Sequence, residues 1–319
     1  MRFAAVVLGV ASLMNLTGGA REIAPGVDLI PGKFVAGTQP DGNTVVFDAP
    51  AGLIVFDTGR HADHAQQIID FANAAKKPVA AIVNSHWHLD HVGGNVLLRV
   101  KYPNVRVYAS GAIEDAMHGF LANYHAQLED LIAKAGDDAA KQAPWRAELA
   151  LIDAGPKLFP DERIAETSTR TIAGRRVEVG YESHSVTAGD VWLFDPATRV
   201  LASGDLVTLP APLFDTACAE RWRAALGRLA AVDFRILVPG HGAPMRGADF
   251  AMYRRAFERL LDCAAGQRAK QDCVDGWMHD ADALIPQADQ ALARSLLDYY
   301  IDGNLRAGDE QKQKLCTAG

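Results

Sequence analysis

No run of lysine and arginine occurs in this 319-residue chain, whose formal net charge is −7 and whose pI is near 5.8. An acidic chain without a basic block lacks the electrostatic footprint of sequence-independent nucleic-acid binding, so no nucleic-acid partner is expected. No apolar run reaches the roughly 20 residues that a membrane-spanning helix needs, so no membrane partner is expected either. Low-complexity linkers and short-period repeats are missing as well. With 49% hydrophobic and 22% charged residues, the composition is that of an ordinary soluble protein.

The first 20 residues stand apart. Met1-Arg2 carries a positive charge, Phe3 to Met14 is apolar, and Gly18-Gly19-Ala20 offers a small-x-small cleavage site. This is the layout of an export signal; a short buried helix or strand is the alternative. No cysteine follows Ala20, so no lipid anchor is expected there. The domain expectation is a signal peptide over residues 1–20 and a single domain over 21–319, in a periplasmic or secreted protein. Cys218, Cys263, Cys273 and Cys316 allow three pairings. Cys263 and Cys273 lie close together between helix-like segments and form the first choice, which leaves Cys218 for Cys316.

Short β-branched runs punctuated by Pro and Gly mark strands at Val27–Pro31, Thr44–Asp48 and Leu53–Asp57. His64 to Ala75 has the apolar spacing of an amphipathic helix. Pro78–Asn84 and Val105–Ser110 read as buried strands. From Ile113 to Leu151 the pattern is helical with a polar middle, Gly136-Asp137-Asp138, and looks like an insertion placed to cover a site. A second set of strands follows over Arg170–Tyr181, Asp190–Asp195 and Val200–Ser203. Then come a helix over Ala219–Ala231, a strand at Phe234–Val238, and helices over Asp249–Ala265 and Gln287–Leu305. Strands alternating with helices imply an α/β layered domain.

One segment carries the chemistry: Asn84-Ser85-His86-Trp87-His88-Leu89-Asp90-His91-Val92-Gly93-Gly94-Asn95. Three imidazoles and a carboxylate fall within six positions, directly after an apolar strand. Imidazole and carboxylate are preferred donors for zinc and other first-row divalent metals. On extended backbone His86 and His88 point the same way, whereas Asp90 and His91 sit where the chain turns into a helix and face a second position. Gly93-Gly94 is expected to let the backbone turn tightly. A polar loop that merely contains histidines is the bland alternative, and the spacing and strand context disfavour it. His61, His64 and His279 are expected at the surface.

The His86, His88, Asp90, His91 run resembles the metal motif of the metallo-β-lactamase superfamily. Val55-Phe56-Asp57-Thr58-Gly59 is similar to the family's strand ending in Asp. Ser203-Gly204-Asp205 is similar to the strand end that supplies a bridging Asp, and Pro239-Gly240-His241-Gly242 to the loop with the last His. The resemblance implies a four-layer αββα sandwich, here with a helical insertion and a helical C-terminal segment. It implies two Zn2+ per chain, with iron or manganese as alternatives. One ion is assigned to His86, His88 and a third His, and the other to Asp90, His91 and His241, with Asp205 bridging. The family register puts the third His at Val186, which cannot bind metal. His184, two residues earlier, is the expected ligand, a lost ligand being the alternative and His118 and His125 outside substitutes. Asp90 and Asp57 are the catalytic candidates: Asp90 orients the nucleophilic water, and Asp57 supports the ligands from behind.

The implied reaction is hydrolysis of a small-molecule substrate, an ester, lactone, lactam or thioester, by a hydroxide bridging two ions about 3.5–4 Å apart. The β-lactamases generally lack an Asp at the position of Asp205, which counts against an antibiotic substrate. Quorum-quenching lactonases carry a Tyr three residues after the bridging Asp, where this chain has Thr208. The alternatives are a mononuclear-iron sulfur dioxygenase and a non-enzymatic metal-binding accessory protein of a periplasmic redox system. Beyond Asp205, Leu213 and Phe214 are candidates to line an apolar pocket.

Overall fold

The structure is a computed structural model and describes residues 19–34 and 38–317. The expected export signal therefore lies almost entirely outside the described residues. Among the described residues no helix is long and apolar enough to cross a membrane.

The first half of the chain builds a seven-stranded sheet: β1 (Arg21–Ala24), β2 (Val27–Ile30), β3 (Thr44–Ala49), β4 (Gly52–Phe56), β5 (Val79–Val83), β6 (Arg106–Ala109) and β7 (Glu162–Arg163), in that spatial order. β1 to β4 are antiparallel, and β4 to β7 run parallel. Helix α1 (Ala62–Ala75) connects β4 to β5. Two short helices, α2 (Leu89–Val92) and α3 (Asn95–Lys101), connect β5 to β6. The excursion from β6 to β7 contains α4 (Ala112–His118), α5 (Phe120–Lys134) and α6 (Ala139–Asp153).

The second sheet holds β8 (Ser168–Ile172), β9 (Arg175–Ser183), β10 (Gly189–Asp195), β11 (Val200–Thr208) and β12 (Ile236–His241). Its one parallel pair, β11 with β12, is joined through α7 (Ala219–Leu229). The remainder is helical: α8 (Gly247–Ala265), α9 (Lys270–Asp280), α10 (Gln290–Tyr300) and α11 (Asp309–Thr317).

Side-chain alternation makes this a four-layer sandwich. Val45, Phe47, Ile54, Phe56, Ala81 and Val83 point into the space between the sheets, against Val177, Val179, Val191, Leu193 and Val238. Their strand neighbours Val46, Val55 and Ile82 point the other way, onto Ile68, Ile69 and Phe71 of α1. Because both faces of these strands are covered, they read as continuous apolar runs rather than alternating ones. On the far side of the second sheet, Trp192, Phe194 and Leu201 pack under Trp222 of α7, Tyr253 and Phe257 of α8, and Trp277 of α9.

Two expectations need correction. Arg170–Tyr181, read as one strand, is a hairpin: Ala173 (φ 47°) and Gly174 (φ 84°) turn the chain, and Ile172 pairs with Arg175. Its flanks are alike in β propensity, and only the turn conformation separates them. Gly93 and Gly94 are not there for backbone freedom, since both adopt right-handed helical dihedrals. Gly94 is needed for room, because a Cβ would stand 2.3 Å from the carbonyl oxygen of Thr58.

The four cysteines pair as Cys218–Cys316 and Cys263–Cys273, the pairing expected from their spacing. The first joins the residue before α7 to α11, and the second the end of α8 to α9.

Candidate metal centre

Parallel strands place their C-terminal ends on one side of a sheet, and here both sheets do so at the same edge of the sandwich. Asp57 follows β4, His86 and His88 follow β5, Asp90 and His91 open α2, Asp205 lies in the last half of β11, and His241 ends β12. The sheets approach so closely that residue 204 has no room for a side chain. A Cβ on Gly204, whose φ is +52°, would stand 2.2 Å from the Ser85 Cβ.

The side chains converge in two trios, His86–His88–Asp205 and Asp90–His91–His241, each offering ligand atoms within 4.8 Å of one another. Asp205 faces both. Its Oδ1 is 3.3 Å from His91 Nε2 and 3.6 Å from His241 Nε2, while its Oδ2 lies 3.9 Å from His86 Nε2. Asp90 Oδ2 lies 3.0 Å from His241 Nε2 and 3.4 Å from His91 Nε2. All except His88 are buried, and His88 is half-buried.

Behind the imidazoles, Asp57 fixes their tautomers. Its Oδ1 accepts the Ser85 backbone N–H at 2.7 Å, and its Oδ2 accepts the Ser85 hydroxyl at 2.7 Å. Because that hydroxyl spends its proton on Asp57, its 2.8 Å contact with His86 Nδ1 requires an Nδ1–H donor. His91 Nδ1–H likewise donates to Asp57 Oδ2 at 2.8 Å. Both rings are left with the Nε2 lone pair facing inward, the usual arrangement of an oriented metal ligand. Asp57 is itself buried and touches no open space, so it is a positioning residue.

The electrostatics suit a bound cation. Burial works against charge on His91, but Asp205, Asp90 and Asp57 outweigh it and hold its pKa well above the ordinary imidazole value, so positive charge is favoured at Nε2, where a bound ion would take the place of a proton and use the lone pair. Burial likewise opposes ionisation of Asp90, yet His91, His241 and Arg60 keep its carboxyl well below the usual range. Burial, with His91 and His88 nearby, pushes His86 well down. Among the described residues, His86 Nε2, His91 Nε2 and both oxygens of Asp205 are buried with no hydrogen-bond partner. Leaving four such atoms unsatisfied costs about 1–3 kcal/mol each. A metal ion is the partner that fits, since all four are lone-pair donors aimed at shared space.

His184 is not brought to this cluster. It sits in the turn after β9 with φ +53°, its backbone N–H donates to the Ala188 carbonyl, and its ring lies near Arg221. Val186 is buried in the apolar layer of the second sheet. His118 is exposed, and His125 pairs with Asp153 and Glu129. Of the histidines expected at the surface, His279 is exposed and His61 partly so. His64 is instead buried, with its Nε2 2.8 Å from the Thr44 hydroxyl.

Several residues of the site gave no sequence signal. Arg60, whose side chain is 9% exposed, reaches Asp90 Oδ1 at 3.4 Å and forms an ion pair with the buried Glu148 of α6. Asn43 donates its amide to the carbonyls of Pro239 and Gly242 at 2.9 Å each and so braces the His241 loop. His88 Nε2 meets the Thr216 hydroxyl at 3.0 Å. A lone Arg, Asn or Thr far from the motif has no spacing to mark it.

A cavity of about 330 Å3 opens onto His88 and Asp90. Phe34, Trp87, Phe120, Leu213 and Leu296 supply its apolar walls, and Arg60, Asp215 and Tyr300 its polar ones. Leu213 thus lines the pocket as expected, whereas Phe214 is buried beneath α8.

A four-layer sandwich with His and Asp side chains gathered at one edge of both sheets defines the class of protein. A profile of the metallo-beta-lactamase superfamily matches residues 37–241. The chain is 27% identical over 222 residues to a linear primary-alkylsulfatase from a Pseudomonas species, covering 64% of this chain and 42% of that protein. It is 30% identical over 165 residues to an (R)-specific secondary-alkylsulfatase, also from Pseudomonas, covering 48% of this chain and 23% of that protein. The chain therefore spans less than half the length of either relative. Among solved structures, a metallo-beta-lactamase from Pontibacter korlensis shares the fold, with a TM-score of 0.54 at 21% identity over 75% of this chain and 98% of that one. The chain belongs to the metallo-β-lactamase superfamily.

Proposed function

We propose that this protein is an exported, metal-dependent hydrolase of small esters, using two ions, zinc in the first instance. His86, His88 and Asp205 would hold one ion, Asp90, His91 and His241 the other, with Asp205 shared. The observation that carries this reading is the set of four unpartnered buried lone pairs on His86, His91 and Asp205 beside an apolar cavity. Ions bound there supply Lewis acidity and make water a nucleophile near neutral pH.

The protein's own groups do the rest. Asp90, kept ionised by His91, His241 and Arg60, accepts a hydrogen bond from the attacking water and orients it. Trp87, Phe120 and Leu213 exclude bulk water and take up a hydrocarbon portion of the substrate. The relatives named as alkylsulfatases add sulfate esters to the esters, lactones, lactams and thioesters that the motif suggests. The protein's own side chains at the cavity favour the neutral members of that set, since they leave any attraction for an anion to the bound ions alone. Arg60 is already paired with Glu148 and Asp90, and Asp215 adds a carboxylate to the lining. An anionic sulfate finds no unpaired cation among these lining groups. Two disulfides among the described residues suit an oxidising compartment such as the periplasm.

The test is hydrolysis of p-nitrophenyl acyl esters, a lactone, a thioester and dodecyl sulfate by zinc-loaded protein, with and without a chelator. Chelator-sensitive cleavage of a neutral ester, faster than of the sulfate, is expected. Failure to cleave any of the panel would remove the hydrolase reading, and preference for the sulfate would remove the substrate assignment.

A further inference from the structure

His86 and His91 owe their tautomers to Asp57, but Asp57 does not serve His88. The outer nitrogen of His88, Nε2, lies 3.0 Å from Thr216 Oγ1, 128 residues further along the chain. A threonine hydroxyl has one proton. Thr216 donates it to the main-chain carbonyl of Val186 at 2.9 Å. Toward His88 the hydroxyl can therefore only accept, so His88 must carry its proton on Nε2 and keep its lone pair on Nδ1. The segment that bears Thr216 is fixed nearby, because the Cys218 N–H donates to the Ser185 carbonyl at 2.9 Å. Residues 216–218 thus lie along Ser185 and Val186. That is the stretch in which the family register places a histidine and this chain has valine.

We infer that Thr216 is a positioning residue that selects the tautomer of His88, with the Val186 carbonyl as its anchor. Position 186 acts on the centre through its backbone, although its side chain has no donor atom. The inference rests on reading His88 as a ligand. It locates the control of the His86–His88–Asp205 trio in the loop between β11 and α7, outside every segment that carries the motif.

Thr216→Val keeps the shape of the side chain and removes the hydroxyl, Thr216→Ser keeps the hydroxyl, and Thr216→Ala replaces the valine variant if that one overpacks. The first readout is the tautomer of His88 in metal-free, 15N-histidine-labelled protein, from long-range nitrogen–proton correlations. Wild type and Thr216→Ser should show the Nε2–H form, and Thr216→Val a mixture or the Nδ1–H form. The second readout is zinc release to a chromogenic chelator. The valine variant should give up its more weakly held equivalent about 10–100-fold more readily, the range for losing an outer partner of a metal-bound histidine. The other equivalent should be unchanged, and the serine variant should behave like wild type. Retention of the Nε2–H tautomer and of both zinc affinities in Thr216→Val would overturn the inference, as would equal losses in the serine and valine variants. If wild type takes up no zinc, the hydrolase reading falls, and the tautomer in metal-free protein alone decides the role of Thr216.

Discussion

Asp57 lies outside any space a substrate could enter, yet it sets the direction of two of the four clustered imidazoles. Asp57→Asn keeps the size of the side chain but turns one acceptor into a donor facing the Ser85 hydroxyl and His91 Nδ1–H. Metal affinity should fall about 10–100-fold with the fold intact, measured by equilibrium dialysis against a weak chelator and by circular dichroism. Unchanged affinity would show that the Ser85 and Asp57 contacts do not orient the ligands. The motif residues were legible because four donor side chains within six positions leave few other readings. His184 shows the limit: whether a histidine two residues out of register can reach the site depends on a backbone turn that composition does not encode. Away from the centre, Asp28 has its pKa pushed up to about 6 by burial and by the carboxylates of Glu22 and Asp48. The folded protein therefore holds a proton that the unfolded chain releases near 3.8, so ionisation opposes folding above that range. Asp28→Asn should raise the melting temperature at pH 8, and the gain should shrink between about pH 6 and 3.8 and vanish below. Because Asp28 is half-exposed, the gain is modest; an equal gain at pH 3 would contradict the ionisation argument.

At the scale of elements, the buried strands were the easiest to read, since strands covered on both faces must be apolar throughout. The helical insertion was also legible, and Phe120, Leu121 and Tyr124 of its helix α5 line the cavity beside Asp90. Its breaks at Gly119 and around residues 135–138 divide it into α4, α5 and α6. What anchors it could not be read, because the Arg60–Glu148 pair spans 88 positions. That pair ties α6 to the candidate ligand Asp90. Glu148→Ala should destabilise the protein by about 3 kcal/mol, the low end for breaking a buried pair, since Arg60 retains Asp90. Hydrogen exchange should speed up in α4–α6 and not in β3–β5. Uniform acceleration across the chain would mean that the pair is not the insertion's own anchor. Helices α9 and α11 were missed because their patterns are weakly amphipathic and their places are fixed by disulfides and by neighbouring helices.

On the scale of the whole molecule, the C-terminal helices are bound to the sandwich covalently as well as by packing. The Cys218–Cys316 bridge closes a separation of 98 residues, and Cys263–Cys273 one of 10. By chain entropy the long loop should contribute about 4–5 kcal/mol and the short one about 2.5–3. Urea unfolding of the double-serine variants, without reductant, should show the larger loss for Cys218→Ser/Cys316→Ser; the reverse order would point to native-state strain. Both sheets, the insertion and these helices converge on one edge of the molecule, where the unpartnered lone pairs of His86, His91 and Asp205 face a common space. The most direct test of a metal centre there is elemental analysis of purified, zinc-reconstituted protein beside its Asp205→Ala variant. Wild type should hold about two equivalents, and the variant, still folded by circular dichroism, should lose the shared carboxylate and most of both. A folded wild-type protein that retains no metal beyond the level of an unrelated control would contradict the centre described here.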